Sequence, residues 1–304
     1  MHRTAGRRSL RRPMKKKPVS QQTANWPMKA YKNLDFLTAP EGRIVRVLSE
    51  FIEPAGRFEK RHIYNTIVFF GSARTLPPEE ARKNLTGLEA LVKRKRRPSR
   101  SLRRRHEGAK RDLAMSRYYE DAERLAEKLT RWSLGLREKR KRFLICSGGG
   151  GGIMEAANRG ARRAGGTSIG LNISLPMEQA PNLYQTRELS FEFHYFFIRK
   201  FWFFYLAKAL VAFPGGFGTM DELFELLTLV QTKKTRKYMP IIIYGTEYWN
   251  RVLNFQALVD AGTINEEDVK IFRFFDDVDE AFEYLKEELS RHYVHKARKQ
   301  QMPV

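Results

Sequence analysis

Short apolar runs, each closed by glycine, serine or proline, alternate along this chain with longer segments whose apolar residues fall at helical spacing. The runs are 66–70 (Thr66-Ile67-Val68-Phe69-Phe70), 143–146, 167–173, 209–213, 239–244 and 271–275, with a weaker alternating one at 189–193. Runs this short, bounded by turn residues and rich in Ile, Val and Phe, predict buried strands. Between them, helical spacing predicts helices at 44–52, from Pro77, and over 118–134 through Ala122, Leu125, Ala126, Leu129 and Trp132. Further helices are predicted at 153–161, at 195–208 within a dense aromatic block, from Thr219 to Val230, and at 247–260 and 278–289. Strand and helix in strict alternation predict an α/β fold, a doubly wound Rossmann-like parallel sheet with helices on both faces. No internal repeat is visible. The richest apolar stretch, 201–213, is interrupted by Lys208 and is too short to span a bilayer, so no membrane association is expected.

Two strands run directly into glycine clusters. The run ending at Cys146 continues as Ser147 and Gly148 to Gly152, then a helix with a small-residue face, Ala156, Ala157, Gly160 and Ala161. The run ending at Phe213 continues as Pro214-Gly215-Gly216-Phe217-Gly218-Thr219-Met220-Asp221-Glu222. Glycines permit close approach of backbone N–H groups to an anion, and the start of a helix attracts phosphate. Thr219 is placed to cap that helix, with Asp221 and Glu222 in its first turn. A bland alternative is a Pro-Gly-Gly turn before a capped helix, its acids serving the helix dipole. Two such units in one chain favour the phosphate reading, with both loops converging at the carboxyl edge of the sheet. The dinucleotide fingerprint is excluded, because no third Gly or Ala follows a G-x-G at the required offset. A Walker loop is excluded, because no Gly-Lys-Ser/Thr closes either cluster.

Together the clusters resemble the signature of the Lonely Guy (LOG) family, formerly labelled "possible lysine decarboxylase". That signature is a GGGxxGxM loop and a PGGxGTxxE loop with an Arg-Lys pair upstream of the second, supplied here by Arg199 and Lys200. Gly71-Ser72-Ala73-Arg74 resembles the family's first loop, and Asn172-Ile173-Ser174-Leu175-Pro176-Met177-Glu178-Gln179 resembles its larger bacterial members. The resemblance covers about residues 62–290. It implies an enzyme that hydrolyses the N-glycosidic bond of a nucleoside 5′-monophosphate, AMP or an N6-modified AMP such as a cytokinin riboside monophosphate, to free base and ribose 5-phosphate. It implies catalytic roles for Glu222 and Arg199. It implies phosphate or nucleotide binding by Ser72, Gly149, Gly150, Lys200, Gly215, Gly216, Gly218 and Thr219. For Ser72 a helix cap is an equal alternative, and Asp221 receives no chemistry. No metal and no cofactor are expected. A homodimer or larger assembly is expected, from the apolar helix 223–230 and the aromatic block before it.

The 57 Lys and Arg exceed the 34 Asp and Glu to give +23, and this charge is segregated. Residues 1–34 hold ten bases and no acid; residues 82–112 hold thirteen bases and three acids. These two segments account for all but three of the net charges. Residues 1–33 therefore read as a solvated basic tail, and 34–304 as one domain carrying a basic insertion at about 82–112, an exposed excursion. Weak, nonspecific attraction to nucleic acid is a possible property of both. Without an aromatic residue the insertion lacks a base-stacking platform. Arg7-Arg8-Ser9-Leu10 is followed by no apolar segment, so export is not expected. The single cysteine, Cys146, fits a reducing, cytoplasmic location and reads as inert packing.

Two other function classes stay open. One is a carrier or sensor that binds a nucleotide or the molybdenum cofactor without hydrolysis, for which loss of the arginine or glutamate would be the hallmark. The other is a nucleic-acid-associated protein acting through the basic segments. Nothing suggests the pyridoxal site of a lysine decarboxylase.

Overall fold

A computed structural model describes residues 27–176 and 180–295. Most of the basic tail, including Arg7 and Arg8, and Met177, Glu178 and Gln179 of the motif quoted above lie outside the described residues. The described chain falls into two compact units that divide at Arg46/Val47. The smaller contains a 3-10 turn, Ala30–Lys32, and a short helix α1, Leu34–Thr38, whose start is capped by the Asn33 side chain accepting from Phe36 N at 3.2 Å. The Arg46 guanidinium donates to the carbonyls of Leu37 and Ala39 and ties down the end of α1.

The larger unit is built on seven strands: β1 Thr66–Phe70, β2 Leu144–Ser147, β3 Ser168–Ile173, β4 Ser190–Phe193, β5 Ala207–Ala212, β6 Ile241–Tyr244 and β7 Phe272–Phe275. All neighbours pair in parallel, in the order β4-β3-β2-β1-β5-β6-β7. The doubly wound α/β fold read from the sequence is the fold observed. Strand side chains alternate between two cores, as the period of two requires. Ile67 and Phe69 of β1 face helices α5 (Arg117–Leu134), α6 (Ile153–Arg163) and α11 (Val278–Leu289). Val68 and Phe70 face α7 (Phe196–Tyr205), α8 (Phe217–Gln231) and the second half of α2 (Arg43–Lys60). The chain winds outward from β1 to β4, then returns to the other side of β1 at β5. The β1/β5 junction is therefore the switch point, where such folds bind ligands.

Several elements differ from the sequence reading. The segment expected as an exposed excursion forms two helices, α3 Pro78–Lys93 and α4 Arg100–Met115. Ala81, Leu102 and Ala109 are buried, and Ser99 caps α4 by accepting from Leu102 N at 3.2 Å. Their sparse apolar positions are masked in the sequence by the charges between them. The helix expected over 247–260 breaks into α9, Thr246–Val252, and α10, Phe255–Asp260, because Asn254 caps a new start with its side chain. The aromatic helix stops at Tyr205, and Lys208, expected on it, lies on β5.

Helices α5 and α6 approach closely at Gly160, where an added Cβ would sit 2.1 Å from the Glu123 carbonyl oxygen. Backbone on both sides leaves no flexible atom to yield. Gly160→Ala should therefore cost at least the ~1–3 kcal/mol typical of overpacking. Gly56, inside α2 with open space around it, gives the opposite sign: Gly56→Ala should stabilise by ~0.4–1 kcal/mol. Urea unfolding of both variants checks the pair.

Candidate active site

The loops after β1, β2 and β5 meet at the switch point and are laced by backbone hydrogen bonds. Ser72 N donates to Pro214 O, and Ile153 N donates to Ser72 O, each at 3.0 Å. Gly71 leaves no room for a side chain, since its Cβ would lie 2.6 Å from Ile153. Gly152 holds φ +61°, and a Cβ there would meet Ser72 O at 2.2 Å. The close approach of the first two loops thus depends on missing side chains.

The β2 loop is held from below by buried amides and hydroxyls. Ser147 Oγ accepts from Gly149 N at 3.1 Å and donates to Asn158 Oδ1 at 2.7 Å. Asn182 Nδ2 donates to the carbonyls of Gly149 and Gly150 and to Asn158 Oδ1, at 2.9–3.0 Å. Gln185 Nε2 adds a bond to Gly149 O at 2.7 Å. Asn172 Nδ2 joins Gln185, Ser190 and Phe191. A loop so held keeps its shape without ligand, which is the preorganisation that binding sites rely on.

Helix α8 begins at Phe217, not at Thr219. Thr219 is therefore no cap, and Asp221 and Glu222 sit one turn further in than the sequence suggests. The first helical bond is Met220 N to Gly216 O at 3.0 Å, so the N–H groups of Phe217, Gly218 and Thr219 precede it. They have no helical partner, and no acid in the first turn offsets the dipole.

A cavity of about 620 Å³ opens in front of this helix start, within the range of small-molecule sites. Of the residues singled out from the sequence, Ser72, Gly150, Arg199, Gly216, Gly218, Thr219 and Glu222 line it. Ser72 Oγ accepts from Arg74 N at 3.1 Å; it closes a turn there and caps no helix. Gly149 lies behind the wall, its carbonyl taken by Asn182 and Gln185. Gly215 is also behind, accepting from Tyr248 OH at 2.7 Å. Lys200 points elsewhere and pairs with Asp221 at 2.8 Å and Glu225 at 2.9 Å. Residues the sequence reading left without a role complete the lining, Arg74, Met154, Leu175, Phe196 and Phe217 among them. Arg74 and Met154 fell inside quoted motifs, whereas Phe196 read only as part of an aromatic block.

Arg199 and Glu222 form the charged centre. Arg199 Nη1 lies 3.7 Å from Glu222 Oε1, and both side chains are nearly buried. Arg199 Nε donates to Leu171 O at 2.7 Å, and its guanidinium lies 5.0 Å from the centre of the Phe203 ring. Gly148 makes room for it, as a Cβ there would be 2.5 Å from Nη2. Burial pushes the Glu222 carboxyl up to about 7, with Arg199 opposing and Asp221 adding to the rise. At 3.7 Å the arginine attracts the carboxylate without a hydrogen bond, so desolvation prevails. Burial likewise pulls the Arg199 guanidinium below its usual value, against the pull of Glu222. Cys146, by contrast, is buried in β2 and its thiol is pushed far up, which fits packing alone.

Residues 154–285 match the model of the family described as "Possible lysine decarboxylase". That description is the label formerly attached to the Lonely Guy (LOG) family, which the two loop motifs resemble. No curated protein matches it. Among solved structures, a protein titled TM1055 is 22% identical, covering 73% of this chain and 99% of that one, with a TM-score of 0.42. The molybdenum cofactor binding protein from the phototrophic bacterium Rippkaea orientalis is 17% identical, covering 56% and 86%, with a TM-score of 0.39. The molybdenum cofactor carrier protein from Chlamydomonas reinhardtii is 18% identical, covering 74% and 99%, with a TM-score of 0.36.

The amide network under the β2 glycine loop can be tested by itself. Asn182→Ala leaves buried acceptors unpaired, Gly150 O among them, each costing ~1–3 kcal/mol. The variant should unfold at lower urea than wild type, and amides 149–152 should lose hydrogen-exchange protection before the sheet does.

Proposed function

We propose that this protein is of the LOG type and hydrolyses the N-glycosidic bond of a nucleoside 5′-monophosphate, AMP or an N6-modified AMP, releasing free base and ribose 5-phosphate. The observation that carries the reading is the buried Arg199–Glu222 pair facing the same cavity as the unpaired amides of α8. The amides of Phe217, Gly218 and Thr219 are suited to one phosphate without a metal. Glycosidic cleavage passes through an oxocarbenium-like state, which needs a nearby carboxylate and an activated water. Glu222 fills both needs when ionised, and its elevated pKa lies where a general base works best. Water adds its hydroxyl to the anomeric carbon, and its proton goes by way of Glu222 to the departing base. Arg199, fixed by Leu171 O and Phe203, orients Glu222 and the sugar. Retention of both charged residues disfavours the non-hydrolytic carrier. Arg74 adds a cation at the cavity wall.

Glu222→Gln keeps shape and loses the proton acceptor. It should lower kcat about 10²-fold or more while AMP affinity, read by calorimetry, changes little. Asp221→Asn should do far less, since Asp221 is 57% exposed at the side chain and paired with Lys200 outside the cavity. In wild type, base release read by chromatography should fall as pH drops through about 7, where Glu222 gains its proton. AMP binding with no base release at any pH would leave the carrier reading in its place.

We also infer a homodimer. Of the two segments expected to supply the interface, α8 turns Leu223 and Leu226 into the core, with Leu227, Leu229 and Val230 packed beside them. The other, the aromatic block of α7, does present apolar surface, Phe197 being 59% and Phe196 51% accessible beside Phe201 and Tyr205. Patches of this kind mark association sites. Light scattering at micromolar concentration should give twice the chain mass, and Phe197→Glu should give the monomer.

A further inference from the structure

The α3–α4 hairpin has no part in the site described above, yet it holds the densest charge of the described residues. All thirteen Lys and Arg of residues 82–112 are exposed. Among the described residues only one, Lys110, has a carboxylate within ion-pair distance, Glu107 at 3.2 Å. Elsewhere cations are commonly paired: Arg57 with Glu53, Arg163 with Glu123, Lys200 with Asp221, Arg291 with Glu287. The hairpin therefore keeps like charges side by side, Arg100, Arg103 and Arg104 at one-turn spacing, which costs stability unless an outside anion offsets them.

We propose that the α3–α4 hairpin is a docking surface for the phosphodiester backbone of a nucleic-acid duplex. Nine of the thirteen cations are arginine, whose planar fork fits phosphate in two-point contact. Arg103, Arg104 and Arg105 follow one another at ~100° steps around α4, so they reach both flanks of a groove the helix enters. The 16 residues of α4 extend ~24 Å, about seven phosphate spacings along one strand. No aromatic side chain lies in 82–112, so stacking on unpaired bases, the mode of single-strand binders, has no platform here. A lipid surface fits worse, because a membrane-lying helix needs an outward apolar face, and Leu102 and Ala109 of α4 are buried.

The full chain is titrated against fluorescein-labelled 20-base-pair DNA and RNA duplexes, the matching single strand, and phosphatidylserine-containing vesicles, at 50–200 mM salt. Anisotropy should report duplex binding that weakens ~10³-fold or more across this range if six or more phosphates are engaged. Preference for DNA or RNA identifies the source, and either supports the proposal. The triple variant Arg103→Gln, Arg104→Gln, Arg105→Gln should weaken binding at least tenfold at 50 mM salt and flatten the log–log salt slope by about 2.7. A second set in the connecting loop, Lys95→Gln, Arg96→Gln and Arg97→Gln, should act the same way without touching either helix. Circular dichroism melting confirms that both sets fold. The proposal is overturned if neither duplex binds at 50 mM salt, or if both variant sets bind like wild type, which would place the affinity elsewhere in the chain. It also fails if single strands or vesicles bind more tightly than duplexes.

Discussion

Two backbone hydrogen bonds, from Ser72 N to Pro214 O and from Ile153 N to Ser72 O, hold the site together. They join three loops far apart in sequence at the one place where the sheet reverses its winding. The second bond depends on Gly71 and Gly152 lacking a Cβ, so the approach of the first two loops rests on what those residues omit. Once the loops are joined, the start of α8 is fixed relative to β2, and Arg199 finds its space above Gly148. The carbonyl of Gly215 is taken by Tyr248, which holds the loop before α8 from the outer side. A scaffold locked in this way can present unpaired amides to a ligand without first ordering them, and that ordering cost is a large part of weak binding.

The same rigidity explains how Glu222 and Arg199 stay buried. Ion pairs taken out of water gain little for stability, since desolvation offsets attraction. Here the two groups are too far apart for a hydrogen bond, so the carboxyl keeps an elevated pKa beside a cation. An arrangement this poor for stability is well suited to proton transfer near neutral pH. The pairing of Lys200 with Asp221 and Glu225 complements it. That surface cluster absorbs the neighbouring charges and leaves Glu222 as the carboxylate that lines the cavity.

The fold was largely legible because both faces of the sheet are covered, which forces strands to read as continuous apolar runs between glycine-rich ends. Ile67, Val68, Phe69 and Phe70 are all buried, so no alternation was needed to find β1. The charged pair in the site was legible from its motifs. What the sequence hid was where things point. Lys200 follows Arg199 directly, yet a helix sends it about 100° away, out of the cavity and onto α8. Thr219 has the chemistry of a cap, but the helix starts two residues sooner, at Phe217, after an extended Gly216. Asn182 and Gln185 lie in a segment with no periodicity, and only the meeting of that segment with the β2 loop gives them a role.

The distribution of charge follows the same division of labour. In the sheet-bearing body acids and bases nearly balance, and many meet in pairs, so its long-range field is weak and the positive potential at the cavity comes mainly from the local amides of α8 and the cationic side chains on its wall. The surplus is confined to residues 82–112 and 1–34 of the sequence; on the hairpin it is exposed, and screened within about 10 Å at moderate salt. A field that short does little to steer a small nucleotide into a cavity built from other loops. It acts on whatever surface comes into direct contact with α3 and α4, and only a partner carrying closely spaced negative charges can neutralise thirteen cations set so near one another. The candidate site and the basic hairpin are thus electrostatically separable, and a change in one need not disturb the other.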